Sequence, residues 1–124
     1  MPVRILLADD HPLTRSGIGE FVRREPSFEL VADAEDGTKA WELLQELRPD
    51  VALLDIRMPG LDGVTVAQRV KSEGLPTAIL MLTSYDAQQY VIASLRAGAR
   101  GFVLKTVSPK ELTSAINTVA KGGL

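Results

Sequence analysis

A chain of 124 residues, 45% apolar and 24% charged, has the composition of one globular domain large enough to bury its own core. It has no cysteine, which excludes disulfides and thiolate metal sites, and its single histidine argues against zinc held by imidazoles, so any metal is expected to be a hard cation held by oxygen. The net charge of −2 gives no electrostatic footprint for nucleic acid; with no apolar run of membrane-span length and no signal-peptide pattern, a cytoplasmic location without membrane partners is expected.

The first element reads as a strand over Val3–Ala8 (VRILLA), which ends on Asp9 and Asp10. Each of two adjacent carboxylates makes the other harder to ionise unless a cation or water intervenes. Pro12 suits the first turn of a helix, with His11 a surface residue at the helix start and not a ligand. A second strand, Phe28–Ala34 (FELVADA), leads to Glu35 and Asp36, read as turn and cap residues near the sheet edge. Ala40, Leu43, Leu44 and Leu47 then fall at helical spacing and make one apolar stripe, with Trp41 one position off it, at its margin. Val51–Leu54 (VALL) is a third strand, as nearly continuous in apolar residues as strands covered on both faces. It delivers Asp55, and Met58-Pro59-Gly60 makes the tight turn that positions the following loop.

Thr77–Leu82 (TAILML) is a fourth strand, with Thr83 and Ser84 at its end, and Gly98 closes the helix that follows. Gly101–Leu104 (GFVL) is the fifth strand and delivers Lys105. Ser108-Pro109 reads as N-cap and first turn of a last helix. That helix carries the stripe Leu112, Ala115, Ile116 and Val119 and ends at Gly122. Arg23, Arg24, Arg96 and Arg100 read as scattered, solvated cations.

Strand and helix alternate five times, and right-handed crossovers then make one parallel sheet with helices on both sides. Ligands of such sheets bind in the crevice at the carboxyl ends of the strands. There the first strand brings Asp9 and Asp10, the third Asp55, the fourth Thr83 and the fifth Lys105. Each residue alone has a bland reading as a turn, cap or surface group; their convergence favours a site. Three carboxylates in a half-buried crevice call for a divalent cation, and magnesium suits few carboxylates with room for water. Lys105 neutralises the cluster from the other side. The set lacks the parts of ordinary hydrolases, yet it is well supplied for receiving a phosphoryl group on a carboxylate, with cation, ammonium and hydroxyl on the oxygens.

The stretches LLADDHP, DVALLDIRMPGLDG, ILMLTSYD and ARGFVLKTVSPKEL closely resemble the receiver domain of two-component response regulators, in order and over nearly the whole chain. The resemblance implies a flavodoxin-like (βα)5 three-layer sandwich with a parallel sheet in 2-1-3-4-5 order. It implies that Asp55 takes a phosphoryl group from a sensor histidine kinase, and that Asp9, Asp10 and Asp55 hold Mg²⁺ with the backbone carbonyl of Arg57. Thr83 then matches the switch hydroxyl, Lys105 the phosphate-pairing lysine and Phe102 the aromatic switch position, with Ser84 and Tyr85 as tuning positions. On phosphorylation Thr83 would draw in the loop after the fourth strand, Phe102 would turn inward, and the face made by the fourth helix, fifth strand and fifth helix would change.

LADDHPLTRSGI and RAGARGFVLK are closest in wording to the NarL/FixJ-type subfamily, whose receiver is joined to a LuxR-type helix-turn-helix. Residues 1–122 are accordingly expected to be the receiver and 123–124 the start of a linker to an effector domain outside the chain. DNA would be contacted only through that domain, and the receiver is expected to form a homodimer on phosphorylation.

Two positions depart from the family pattern. Thr106 follows the lysine where the family usually has proline, commonly after a cis bond, and such a bond without proline costs roughly 3 kcal/mol. Ser84 replaces a common alanine. Three other readings compete. A phosphoesterase with an aspartyl intermediate wants an acid two residues after the nucleophile, where this chain has Arg57. A flavin module wants a Ser/Thr/Gly-rich loop where this chain has ADDHP, and a pseudo-receiver would serve only for docking.

Overall fold

The apolar runs in the middle of the sheet form strands covered on both faces, while those at its edges are only partly covered. The computed structural model describes residues 1–84 and 89–123. Its strands are β1 (Val3–Ala8), β2 (Phe28–Ala34), β3 (Val51–Asp55), β4 (Ala78–Thr83) and β5 (Gly101–Leu104). Between and after them lie α1 (Pro12–Arg24), α2 (Gly37–Leu47), α3 (Gly63–Ser72), α4 (Val91–Arg96) and α5 (Pro109–Ala120). All strand pairs are parallel, in the order β2-β1-β3-β4-β5, which is the flavodoxin-like (βα)5 sandwich.

Successive side chains of the central strands feed two separate cores, the period-two geometry of a strand. Leu6, Ala52, Leu54, Ile79 and Met81 pack with Trp41 and Leu44 of α2 and Val66 and Val70 of α3. Ile5, Leu7, Val51, Leu53, Leu80 and Leu82 pack on the other face with Val22 of α1 and Leu112, Ile116 and Val119 of α5. Every residue of β3 and β4 is buried.

The caps follow the sequence. Asp36 accepts a hydrogen bond from the Lys39 N–H at 2.7 Å, Asp62 one from Thr65 at 2.7 Å and Ser108 one from Glu111 at 3.2 Å. Gly98 and Gly122 follow the last turns of α4 and α5 with φ of +113° and +86°. β3 extends one residue further than VALL, and β4 is displaced by one from TAILML, its ladder with β3 starting at Ala78, while the Thr77 hydroxyl donates to the carbonyl of Pro49 at 2.7 Å. Trp41 is a correction. It is 9% exposed and belongs to the core instead of the stripe's margin, while Leu43 and Leu47 are only half-buried. Gly37 opens α2 hard against the carbonyl of Leu61, where no side chain fits.

Candidate functional site

Strand register brings the acids together. Ala8 of β1 is paired with Leu54 of β3, so Asp9 and Asp55 leave the sheet side by side where the strand order reverses. Asp9 is fully buried and Asp55 is 3% exposed; Asp10, pointing to the rim, is half-buried. Lys105 reaches in from the end of β5. Its Nζ lies 2.8 Å from Asp55 Oδ2 and 3.2 Å from each carboxylate oxygen of Asp9. The Lys105 N–H also donates to the carbonyl of Thr83 at 2.8 Å, which fixes the lysine to the end of β4. Thr83 itself is fully buried, and its hydroxyl donates to the carbonyl of Ser84 at 3.1 Å.

The backbone holds this set from below. The N–H of His11 donates to Asp9 Oδ1 at 2.9 Å, and the guanidinium of Arg15 donates to the Asp9 carbonyl at 2.7 Å. The N–H of Arg57 donates to Asp55 Oδ1 at 3.4 Å. Gly63 opens α3 against the Asp55 carbonyl, at a distance no Cβ tolerates, and its N–H bonds Ile56 O at 2.7 Å. A cleft of about 480 Å³ opens above the acids, walled by His11, Arg57, Met58, Pro59 and Ser84.

Burial dominates the electrostatics. It pushes the Asp55 carboxyl up from an ordinary 3.8 to about 6, with the charge of Asp9 and the carboxyl of Asp10 adding to the rise and the hydrogen bond and charge of Lys105 opposing it. Asp9 Oδ2 and Asp10 Oδ1 are buried and accept no hydrogen bond; what faces them is Lys105 Nζ at 3.2 Å and His11 Nδ1 at 3.1 Å. Buried carboxylate oxygens without hydrogen bonds are expensive. Their convergence with Asp55 is a donor set suited to a hard dication, and together with His11 these residues offer ligand atoms all within 4.8 Å of one another.

Asp9, Asp10, Asp55, Thr83 and Lys105 are therefore gathered at one end of the sheet, as the motif spacing predicts. His11 stands at the start of α1 on the surface, as expected, with 62% of its side chain exposed, and its ring lies beside the cluster. Nδ1 lies 3.0 Å from Asp9 Oδ1, 3.1 Å from Asp10 Oδ1, 3.5 Å from Asp55 Oδ2 and 2.9 Å from Lys105 Nζ. Arg15 is the residue that sequence reasoning missed. Its signal is its place one turn into α1, four residues beyond the cap. The Arg57 side chain lies over the ring of Tyr90, 5.8 Å from its centroid, and Phe102 on β5 is 45% exposed. Tyr85 lies outside the described residues. Among those described no peptide bond is cis, that between Lys105 and Thr106 included.

Comparisons with known proteins agree with this geometry. The profile of the family described as "Response regulator receiver domain" matches residues 5–117. The chain is 43% identical over 120 residues to "Probable transcriptional regulatory protein NarL" of Mycobacterium tuberculosis, covering 97% of this chain and 56% of that protein. It is 39% identical over 121 residues to "Transcriptional regulatory protein DegU" of Brevibacillus brevis, covering 98% and 51%. The chain thus spans just over half the length of these relatives. The solved signal receiver domain of the putative response regulator NarL from Mycobacterium tuberculosis superposes with a TM-score of 0.93 at 43% identity, over 98% of both chains.

Proposed function

The chain belongs to the response regulator receiver domain family, and on that premise we propose that Asp55 accepts a phosphoryl group from a sensor histidine kinase, with Mg²⁺ held by Asp9, Asp10, Asp55 and the backbone carbonyl of Arg57. The observation that carries this reading is the placing of Asp55 between an ammonium at 2.8 Å and two further carboxylates, each with a buried oxygen that accepts no hydrogen bond.

A carboxylate oxygen of Asp55 attacks phosphorus as the donor's bond to phosphorus breaks, and the bonding pair leaves with the donor. Mg²⁺, when bound, supplies positive charge to the carboxylates and to the phosphoryl oxygens. Lys105, already within hydrogen-bond distance of Asp55, pairs with the charge that arrives. Thr83 has to give up its bond to the Ser84 carbonyl to reach a phosphoryl oxygen, which makes the end of β4 the moving part. Phe102, now half out of the surface, turns into the space that this movement leaves, and the α4-β5-α5 face is the output. Ser84 tunes the rates from the wall of the cleft, and Tyr85 is the other tuning position of the family pattern.

The relatives named as transcriptional regulators support an output in transcription, through a DNA-binding part outside these 124 residues and a homodimer formed on phosphorylation in the cytoplasm. Incubation with acetyl phosphate tests the acceptor. Mg²⁺-dependent labelling of the wild type that disappears in Asp55→Asn is expected, and undiminished labelling of that variant puts the acceptor elsewhere.

A further inference from the structure

The paired positions of β1 stop at Ala8 on both sides, yet the chain runs on into the acidic cluster with Asp9 fully buried. The Asp9 N–H reaches the carbonyl of Ala34 at 3.1 Å, but the Asp9 carbonyl has no strand left to pair with. A buried carbonyl without a donor is costly, and the donor here is the guanidinium of Arg15, at 2.7 Å. We propose that Arg15 is a positioning residue of the cation site: by fixing the peptide between Asp9 and Asp10 it sets where their carboxylates stand, and so tightens the hold on Mg²⁺. The inference rests on the reading that Asp9, Asp10 and Asp55 hold that ion.

The peptide unit is a rigid plane, so pinning its carbonyl also fixes the N–H and Cα of Asp10. Asp10 depends on this support from its main chain, because it stands half-buried at the rim with an Oδ1 that accepts no hydrogen bond. Arg15 acts from outside the site. It lines a separate cleft of about 230 Å³, beside Asp33, Ala34, Glu35 and Lys39, and not the cleft above the acids. A guanidinium is shaped to take a carboxylate, but Arg15 forms no ion pair among the described residues, and nearby Asp33 is paired with Arg23 at 3.6 Å. Its hydrogen bond goes instead to the main chain between two of the acids.

Charge and placement pull Mg²⁺ affinity in opposite directions, which makes the role decidable. A cation beside the site repels a second one, so losing the guanidinium would tighten Mg²⁺ binding if only its charge mattered. Losing the tether frees the Asp9–Asp10 peptide and weakens binding. Groups that orient the ligands of a metal typically carry about ten- to a hundredfold in affinity.

Mg²⁺ titration of wild type, Arg15→Met and Arg15→Gln by amide NMR measures both terms. Both replacements are good helix formers without charge, so α1 is retained; methionine has no donor, and the glutamine amide sits on a shorter stem. The Mg²⁺ Kd is expected to rise at least about tenfold in both variants. In chelator the Asp10 amide resonance is expected to shift while those of β5 stay in place. Labelling by acetyl phosphate is expected to fall most at low Mg²⁺ and to recover as Mg²⁺ is raised. A Kd lower than that of wild type, or no more than about twice it, overturns the role of Arg15 and leaves the aspartate site standing, even where the variants melt earlier. Mg²⁺ that fails to bind the wild type, or binds undiminished to Asp10→Asn, overturns the aspartate reading as well.

Discussion

Replacing Asp55 by asparagine should make the metal-free domain more stable at neutral pH. The folded environment holds the Asp55 proton up to about pH 6, against an ordinary 3.8, chiefly through burial. Each pH unit in that interval is worth about 1.4 kcal/mol. Ionised Asp55 therefore costs the folded, metal-free protein about 3 kcal/mol at pH 7, a cost asparagine does not carry. Between pH 3.8 and about 6 the folded chain binds more protons than the unfolded one, so wild-type stability falls as pH rises through that window. Below it the two chains converge. For a domain of this size each kcal/mol moves Tm by about 3–5 °C, so the variant should melt about 10 °C higher at pH 7 in the presence of a chelator. Thermal and urea unfolding of both chains at pH 4 and pH 7 gives the comparison. An Asp55→Asn chain less stable than wild type at pH 7, or a gap of the same size at both pH values, would refute the electrostatic account of the site.

Adding Mg²⁺ at a hundred times its Kd should stabilise the wild type by about 2.7 kcal/mol and Asp55→Asn by much less, read as the rise in Tm. Lys105→Met leaves Asp9 and Asp55 without their ammonium and should cost about 3 kcal/mol in chelator, most of it recovered with Mg²⁺; urea midpoints with and without the ion decide this. Gly63→Ala forces a methyl group against the Asp55 carbonyl and should lower stability by about 2 kcal/mol, with a displaced Asp55 resonance in NMR spectra.

The sheet was legible because buried parallel strands need apolar cover on both sides, so VALL and AILML declare themselves without any alternation. The acids were legible for a related reason. Charge placed directly after such a run has only the sheet's end to occupy, and strand order then decides that Asp9 and Asp55 are neighbours. Trp41 was misplaced because a spacing rule sees only the helix's own residues. What buries Trp41 is a cluster supplied by other elements, Leu6 and Leu54 of the sheet and Val66 of α3 among them. The exposure of His11 was legible from its place at a helix start; the direction of its ring was not, since it follows from Asp9 Oδ1, which binds the His11 N–H and lies beside the ring nitrogen as well. Arg15 carried no motif, and its bond to the Asp9 carbonyl exists only once β1 and α1 are folded together.

The central claim is that the middle acid, readied by its neighbours, is where phosphorus arrives. Treating the protein with acetyl phosphate and Mg²⁺, trapping the acyl phosphate by borohydride reduction and locating the altered residue by mass spectrometry tests this most directly. The account predicts one modified position, Asp55, lost when a chelator replaces Mg²⁺. Modification at Asp9 or Asp10, or equal modification of Asp55 in chelator, would contradict it.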